Sequence, residues 1–272
     1  MKFDIRPLKE SIEFRHCERV QQAIWGSVSV AAEVMIVTQK FGGMVLGAFA
    51  DRKLVGFIYA FLGRREGQLI HWSHMMGLLP ELRDKGLGLR MKLAHREFAL
   101  RQGIKAICWT FDPLQSRNAS LNLVKLGARV EQYIVDCYGD FPSIIERGVP
   151  SDRLVVKWRI TTKSVARRLA GERPRPANLS WPRVNATRVN KRGMIENRDI
   201  DFRRRESKLL LEIPANTDEM RKKAITLAKR WRLETREIFL CYFSQGYRVN
   251  GFLTVRDSSC DRCYYVFQRQ DS

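Results

Sequence analysis

Residues 82–90, LRDKGLGLR, combine two closely spaced glycines with basic side chains. Gly86 and Gly88 leave the backbone open at two positions, and Arg83 and Lys85 add positive charge beside them. If a helix follows, the free N–H groups of its first turn point at whatever lies in front of the loop. The pattern therefore predicts a backbone site for an anion such as a phosphate group.

The spacing of the glycines separates three kinds of phosphate site. A P-loop has the pattern G-x-x-x-x-G-K-[ST], which this stretch lacks. A dinucleotide-binding fold has G-x-G-x-x-G, and here Met91 takes the position of the third glycine. What remains is a strand, a turn containing Pro80, the pattern R-x-x-G-x-G and then a helix.

That remaining pattern, in MGLLPELRDKGLGLRMKLAHREFALRQG, resembles the acyl-CoA-binding motif of the GNAT N-acyltransferase superfamily. Arg83, Gly86 and Gly88 fill the R/Q-x-x-G-x-G positions, and the order of elements over residues 1–160 is similar as well. HWSHMMGLLPELR, WTFDPLQSRNASLNLVKLGA and PSDRLVVKW are similar to a full-length bacterial subgroup of uncharacterised acetyltransferases. Some members of that subgroup are associated with N-succinylamino acid racemases and transfer succinyl groups from succinyl-CoA to amino acids. No residue of this chain indicates succinyl specificity.

The resemblance implies direct transfer of an acyl group from acetyl-CoA or succinyl-CoA to the amine of a small substrate. The implied cofactor-binding residues pair with pantetheine along a strand or hold pyrophosphate in the glycine loop. One more, Asn118 in a later short helix, would hydrogen-bond pantetheine, and Ser116 is the alternative to it. The implied set is Met76, Gly77, Leu78, Arg83, Asp84, Lys85, Gly86, Leu87, Gly88, Leu89 and Asn118. A backbone N–H near Met75 or Met76 would stabilise the oxyanion of the thioester.

A substrate amine must lose a proton before it attacks, so the reaction needs a base. Strand alternation puts His71 and Ser73 on one face of their strand and Trp72 and His74 on the other. The resemblance places a base near His74, and an imidazole with an ordinary pKa of about 6.5 suits that role. The alternative is a hydrogen-bonded structural histidine beside the cofactor cleft.

Asp112 and Tyr138 complete the predicted catalytic set. Asp112 follows a buried strand and would hold the substrate ammonium or orient a base, although Asp-Pro also begins ordinary turns. In the family, a tyrosine often protonates the departing thiolate, but this chain has Leu123 at that position, four residues before Gly127. Tyr133 and Tyr138 lie nearby in sequence as other donors, and side-chain packing is the competing role of each.

The net charge of +20 over 272 residues attracts polyanions, including nucleic acid. A second function class is therefore a catalytically degenerate module that senses acyl-CoA or binds RNA through its basic surface. The basic stretch FRRRES, residues 202–207, lacks interleaved aromatic side chains, which weakens the nucleic-acid interpretation. A solvated basic surface explains the charge equally well.

No run of about 18 apolar residues is present, and the N-terminus lacks the apolar core of a signal peptide. The six cysteines are scattered, and the Cys-x-x-Cys pair Cys260 and Cys263 has no second pair to complete a zinc site. We therefore expect a cytoplasmic monomer or homodimer with no metal ion and no membrane partner.

Hydrophobic periodicity predicts the elements that carry these residues. It predicts a helix over 11–25, a hairpin about DRK, a strand ending at Pro80, a helix running to Gly103 and one long helix from about Asp218 to Ser244. The expected fold class is α/β (α+β), a GNAT fold with a mixed, mostly antiparallel central sheet flanked by helices. The expected domains are a catalytic domain (1–165), a basic Pro-rich linker (166–206) and a small C-terminal α+β unit (207–272).

Overall fold

A computed structural model describes residues 2–27, 29–139, 148–172, 178–256 and 261–270. The chain divides into two compact units. The first unit consists of Met1–Trp109 with Trp158–Ala166, and the second of Thr110–Lys157 with Arg167–Ser272. Each unit is a part of the chain whose residues pack mainly against one another. The domain boundaries expected after residues 165 and 206 stay a prediction.

The first unit is a sheet covered by helices. Its elements are β1 (Phe3–Pro7), α1 (Ser11–Trp25), α2 (Ala32–Lys40), β2 (Met44–Ala50), β3 (Lys53–Arg65), β4 (Gln68–Leu78), α3 (Leu87–Arg101) and β5 (Ile107–Phe111) as far as Trp109. The strands lie in the order β1-β2-β3-β4-β5. Their first three pairs are antiparallel, and β4 pairs with β5 in parallel. The expected fold class, mixed α/β with a mostly antiparallel sheet, is confirmed.

The β2–β3 hairpin turns where the sequence predicts it. Asp51 and Arg52 both have positive φ angles, 46° and 67°, as a two-residue type I′ turn requires. Every residue of β2 is buried, because helices cover both faces of the sheet. Val45 packs in the cluster that includes residues of α1 and α2, and Met44 in the cluster that includes residues of α3.

Helices α1 and α3 follow the predicted periodicity, whereas the pattern leaves residues 32–40 unassigned. Helix α2 buries Ala32 and Met35 but exposes 51% of Val34 and 55% of Val37. Apolar side chains on both faces give no amphipathic period, so hydrophobic patterning does not detect this helix.

The second unit contains three groups of strands and several helices. Its elements are the end of β5, α4 (Ser116–Ala119), β6 (Arg129–Ile134), most of β7 (Arg153–Trp158), the end of α5 (Lys163–Leu169), β8 (Asn185–Val189), β9 (Ile195–Ile200), β10 (Lys208–Ile213), α6 (Thr217–Lys223), α7 (Ile225–Ser244), β11 (Tyr247–Val255) and β12 (Arg262–Arg269). Strands β6 and β7 are antiparallel, β8 pairs with β9, and β12 lies between β10 and β11.

Two elements of the second unit differ from the sequence expectation. The single long helix expected from about residue 218 to Ser244 is two helices, separated at Ala224, whose φ of −151° and ψ of 64° are not helical. The predicted linker contains the β8–β9 hairpin. The sequence does not reveal this hairpin, because its short strands with exposed faces lack a clear alternating pattern.

Candidate functional site

Strand β4 contains a β-bulge at His74. Its register with β3 passes from Tyr59↔Met75 to Ala60↔Ser73, so His74 has no partner residue of its own. As a consequence, two successive side chains face the same side of the sheet. The His74 ring lies 6.0 Å from the Tyr59 ring, and Met75 packs against the cluster that contains Tyr59. A bulge of this kind re-aims a side chain and is common beside active sites.

Strands β4 and β5 part after a short parallel contact. Paired residues are His71 with Ile107 and Trp72 with Cys108. Beyond them, from Ser73 onward, β4 pairs with β3 on its other edge, and no described residue of the first unit extends the pairing with β5. We call the point of separation the fork.

The edge of β4 beyond the fork offers backbone hydrogen-bond donors. Leu79 donates its N–H to the carbonyl of Val55 on the β3 side at 3.0 Å. Strand alternation then turns the N–H groups of Met76 and Leu78 to the opposite edge. An extended ligand can add to such an edge as a further strand.

The glycine loop follows at the end of β4, after a short 3₁₀ turn over Pro80–Leu82. Asp84 and Gly86 have positive φ angles of 61° and 77°, and none of the described side chains caps the N-terminus of α3. A Cβ atom on Gly86 would meet no described residue within 4 Å, so the space beside Gly86 is open in the described structure. The free N–H groups of the first turn, the helix dipole and Lys85 together suit an anion.

Gly77 has a packing role that the sequence does not reveal. A Cβ atom at this position would lie 2.7 Å from Cδ1 of Ile24 and 2.8 Å from Cη2 of Trp25. The glycine lets α1 approach β4 closely, directly behind the open edge.

The His74 ring is half-buried between aromatic neighbours. It lies 6.0 Å from the ring of Tyr59 and 5.9 Å from that of Phe61. Burial lowers the pKa of His74 below its ordinary 6.5, so the ring is neutral at neutral pH. None of the described residues is hydrogen-bonded to it, which leaves a ring nitrogen able to accept a proton.

A buried histidine pair lies on the α3 face of β4. The Gln102 amide donates to the carbonyl of Gly42 at 3.0 Å, which turns its oxygen toward Nε2 of His71 at 2.7 Å. His71 then carries its proton on Nε2, and its Nδ1 accepts from Nε2 of His95 at 3.0 Å. Nδ1 of His95 is left as a buried acceptor without a partner in the described part of the chain.

Lys92 of α3 lies beside this pair and is almost completely buried. Its Nζ donates to Oγ of Ser73 at 3.1 Å and lies 3.8 Å from the centre of the Trp109 ring. Burial lowers the pKa of Lys92 from its ordinary 10.5 to about 7. Sequence patterning does not single out Lys92 or His95, because a lysine or histidine on a helix is usually exposed.

Asp112 lies in the second unit and is buried between two arginines. Arg232 donates to one carboxylate oxygen at 2.6 Å, Arg221 donates to the other, and the Leu114 N–H adds a third bond. The arginine charges outweigh burial and hold the pKa of Asp112 well below its usual range. The predicted ammonium-binding role stays a prediction, and this geometry favours a structural role.

The other predicted residues of the second unit have these surroundings. Tyr138 is exposed, and its hydroxyl lies 3.1 Å from Oγ1 of Thr110. Asn118 is exposed on α4, whereas the hydroxyl of the alternative residue Ser116 donates to the carbonyl of Ala215. Leu123 is buried in a π-helical turn over Ser120–Lys125.

The first unit thus brings together on one strand–loop–helix segment His74, Met76, Gly77, Leu78 and the loop residues Arg83, Asp84, Lys85, Gly86, Leu87, Gly88 and Leu89. Asp112, Asn118 and Tyr138 belong to the second unit.

The described residues contain no cluster of three or more His, Cys, Asp or Glu side chains that would hold a metal ion. Cys260 of the Cys-x-x-Cys pair lies outside the described residues. None of the described helices combines the length and the apolar character needed to cross a membrane.

Comparison with known proteins finds neither a matching family model nor a matching curated protein. Solved structures with similarity include Arabidopsis thaliana Naa50 in complex with the bisubstrate analogue CoA-Ac-MVNAL, at 14% identity and a TM-score of 0.47, covering 58% of this chain and 98% of that one. An acetyltransferase of the GNAT family from Streptococcus pneumoniae has 16% identity and a TM-score of 0.47, covering 57% and 98%. Salmonella typhimurium yncA with its cofactor acetyl-CoA has 16% identity and a TM-score of 0.48, covering 60% and 96%.

Proposed function

We propose that this protein is an acyl-CoA-dependent N-acyltransferase of the GNAT type. It would transfer an acetyl or succinyl group from the CoA thioester to the amine of a small substrate such as an amino acid. The observation that carries the proposal is one continuous segment of the first unit. There the open edge of β4 leads directly into an uncapped helix N-terminus behind the pattern Arg83-x-x-Gly86-x-Gly88.

The chemistry of this segment fits the two polar parts of an acyl-CoA. The N–H groups from Asp84 to Leu89 would hold the pyrophosphate, where a helix N-terminus favours negative charge. The N–H groups of Met76 and Leu78 would bind the amides of pantetheine as an added strand. The thioester, at the far end of the pantetheine arm from the pyrophosphate, then lies toward the fork.

His74 is the proposed base. It lies on β4 at the bulge, and burial keeps its ring neutral. Because no described residue forms a hydrogen bond with the ring, its lone pair is free to accept a proton. It would accept the proton of the attacking amine, while a backbone N–H near Met75 or Met76 would stabilise the negative charge on the thioester oxygen. CoA supplies the activated thioester when it is bound.

The proposal is tested first by thermal unfolding with CoA, acetyl-CoA and succinyl-CoA. A ligand that binds only the folded state adds about 2.7 kcal/mol of stability at a concentration of 100 times Kd. A raised Tm followed by release of free CoA thiol in the presence of D- or L-amino acids would support it. A raised Tm without turnover on any amine would indicate a binding module, and no shift with any of the three would overturn the proposed site.

A further inference from the structure

Lys92 occupies the closed end of the fork between β4 and β5. Its Nζ contacts Ser73 on one strand and Trp109 on the other, at 3.1 Å and at 3.8 Å from the ring centre. Ser73 and Trp109 are the residues that directly follow the last pair, Trp72 and Cys108. The amine of Lys92 is therefore placed where the two strands begin to separate.

No carboxylate in the described part of the chain balances the charge of this buried amine. Only 3% of Lys92 is exposed, and no carboxylate among the described residues forms an ion pair with it. The titratable groups nearby are His95 on α3 and His71 on β4, and burial keeps both neutral by lowering their pKa. Trp109 on β5 contributes only its ring face. An unpaired ammonium in such a place readily gives up its proton.

Ser73 connects this amine with the open edge. Its hydroxyl oxygen accepts from Lys92, and within the described structure its own hydrogen has no acceptor. Ser73 is also the first residue of β4 beyond the fork. A group with one free hydrogen and a proton donor behind it can pass a proton outward.

The reacting end of the acyl donor is expected at the same place. If the pyrophosphate binds at the loop after Leu78 and pantetheine extends along β4, the chain runs from Leu78 toward Ser73. The sulfur of the thioester then approaches the fork. This placement of the acyl donor rests on the proposed function. Leu123 stands at the position where the family that this chain resembles often has a tyrosine that protonates the thiolate. A leucine side chain has no proton to donate.

We propose that Lys92, acting through the hydroxyl of Ser73, is the proton source for the departing CoA thiolate. The amine nitrogen forms its bond to the thioester carbon and gives a proton to His74. The carbon–sulfur bond breaks, the thiolate takes the hydroxyl hydrogen of Ser73, and Ser73 takes a proton from the Lys92 ammonium. The transfer is favourable because a thiol with a pKa of about 8.5 binds a proton more tightly than the Lys92 amine.

Kinetics of the full chain test this with Lys92→Met, which keeps the length of the side chain and removes its proton. We expect kcat to fall by about 10²- to 10⁴-fold, with KM for acyl-CoA nearly unchanged. The wild-type rate should decline as pH rises through about 7, because Lys92 then loses its proton, and this limb should vanish in the variant. Lys53→Met, at an exposed lysine of β3, is the matched control and should leave both unchanged.

Ser73→Ala provides a second variant that does not alter the charge. It should lower kcat about as much as Lys92→Met, and the double variant should be no worse than either single one, because both act in one proton path. Additive losses, or a Lys92→Met enzyme with wild-type kcat and the same alkaline limb, would overturn the inference. Acyl-CoA binding and turnover by the wild-type protein are measured separately, so a failure of the proposed function is recognised as such.

Stability supplies a readout that needs no activity. The pKa of Lys92 in the folded protein lies below its ordinary value, so the unfolded chain binds the proton first as pH falls from 10.5 toward 7. Wild-type stability should therefore rise with pH across that window relative to Lys92→Met. Equal slopes for the two proteins would show that the Lys92 amine is not held in a desolvated place, and the inference would lose its basis.

Discussion

Nη2 of Arg232 lies 2.6 Å from Oδ1 of Asp112, and both side chains are buried within the second unit. Arg221 binds the other oxygen of the same carboxylate. One carboxylate thus holds two buried guanidinium groups, one from α6 and one from α7. Removing the negative charge would leave Arg232 without an ion-pair partner among the described residues, and Arg221 with only Asp218, whose Oδ1 lies 3.9 Å from its Nη1.

Asp112→Asn should therefore lower the free energy of unfolding by about 3–5 kcal/mol, the usual cost of breaking a buried ion pair. Chemical denaturation measures the loss, and Glu219→Gln, at the exposed pair with Lys223, is a control expected to change stability far less. If Asp112 instead holds the substrate ammonium, the variant stays nearly as stable and KM for the amine rises. The two outcomes separate the structural role from the predicted binding role.

Gly86 and Gly103 form a matched pair for testing the glycine loop. Both have positive φ angles, 77° and 72°, and a Cβ atom on either would meet none of the described residues within 4 Å. Alanine at each position should cost a similar backbone strain of about 1–2 kcal/mol. Only Gly86→Ala should weaken acyl-CoA binding, measured by calorimetry at equal folded fraction, because only there would the methyl group meet the ligand. Equal affinities of the two variants would argue against the loop as the phosphate site.

Protonation of His74 should produce the acid limb of the pH–rate profile. A base acts when it is unprotonated, and burial lowers the pKa of His74 below 6.5. As pH falls, the rate should therefore not begin its acid-side decline until the pH is below 6.5. His74→Gln should reduce kcat by about 10²-fold or more and remove that limb. Persistence of the limb in His74→Gln would assign the base to another residue.

The buried histidine pair predicts a loss of stability in weak acid. Burial lowers the pKa of His71 and His95 in the folded protein, so below about pH 6.5 the unfolded chain takes up protons first. The free energy of unfolding should fall as pH decreases from 7.5 to 5.5. Urea titrations at each pH measure this slope, which should be shallower in His95→Leu. A slope unaffected by that change would mean that His95 does not stay neutral in the folded protein.

The elements of the first unit were largely predictable, because their signals are local. Period 3.6 in α1 and α3, the hairpin at Asp51 and the break at Pro80 depend only on neighbouring residues. Helix α2, the break at Ala224 and the β8–β9 hairpin escaped prediction. Their side chains are placed by distant contacts and not by their own periodicity.

The features of the candidate site likewise separate into those with a local sequence signal and those that depend on distant contacts. The glycine loop, the basic charge around it and the two faces of β4 were predictable, because residue type and the period of a strand are enough to locate them. Three features become visible only in the folded protein: β4 bulges at His74, β4 and β5 part after Trp72, and Lys92 lies beneath the fork with no counter-charge among the described residues. These features arise from burial and register between segments far apart in the chain, which no local pattern encodes.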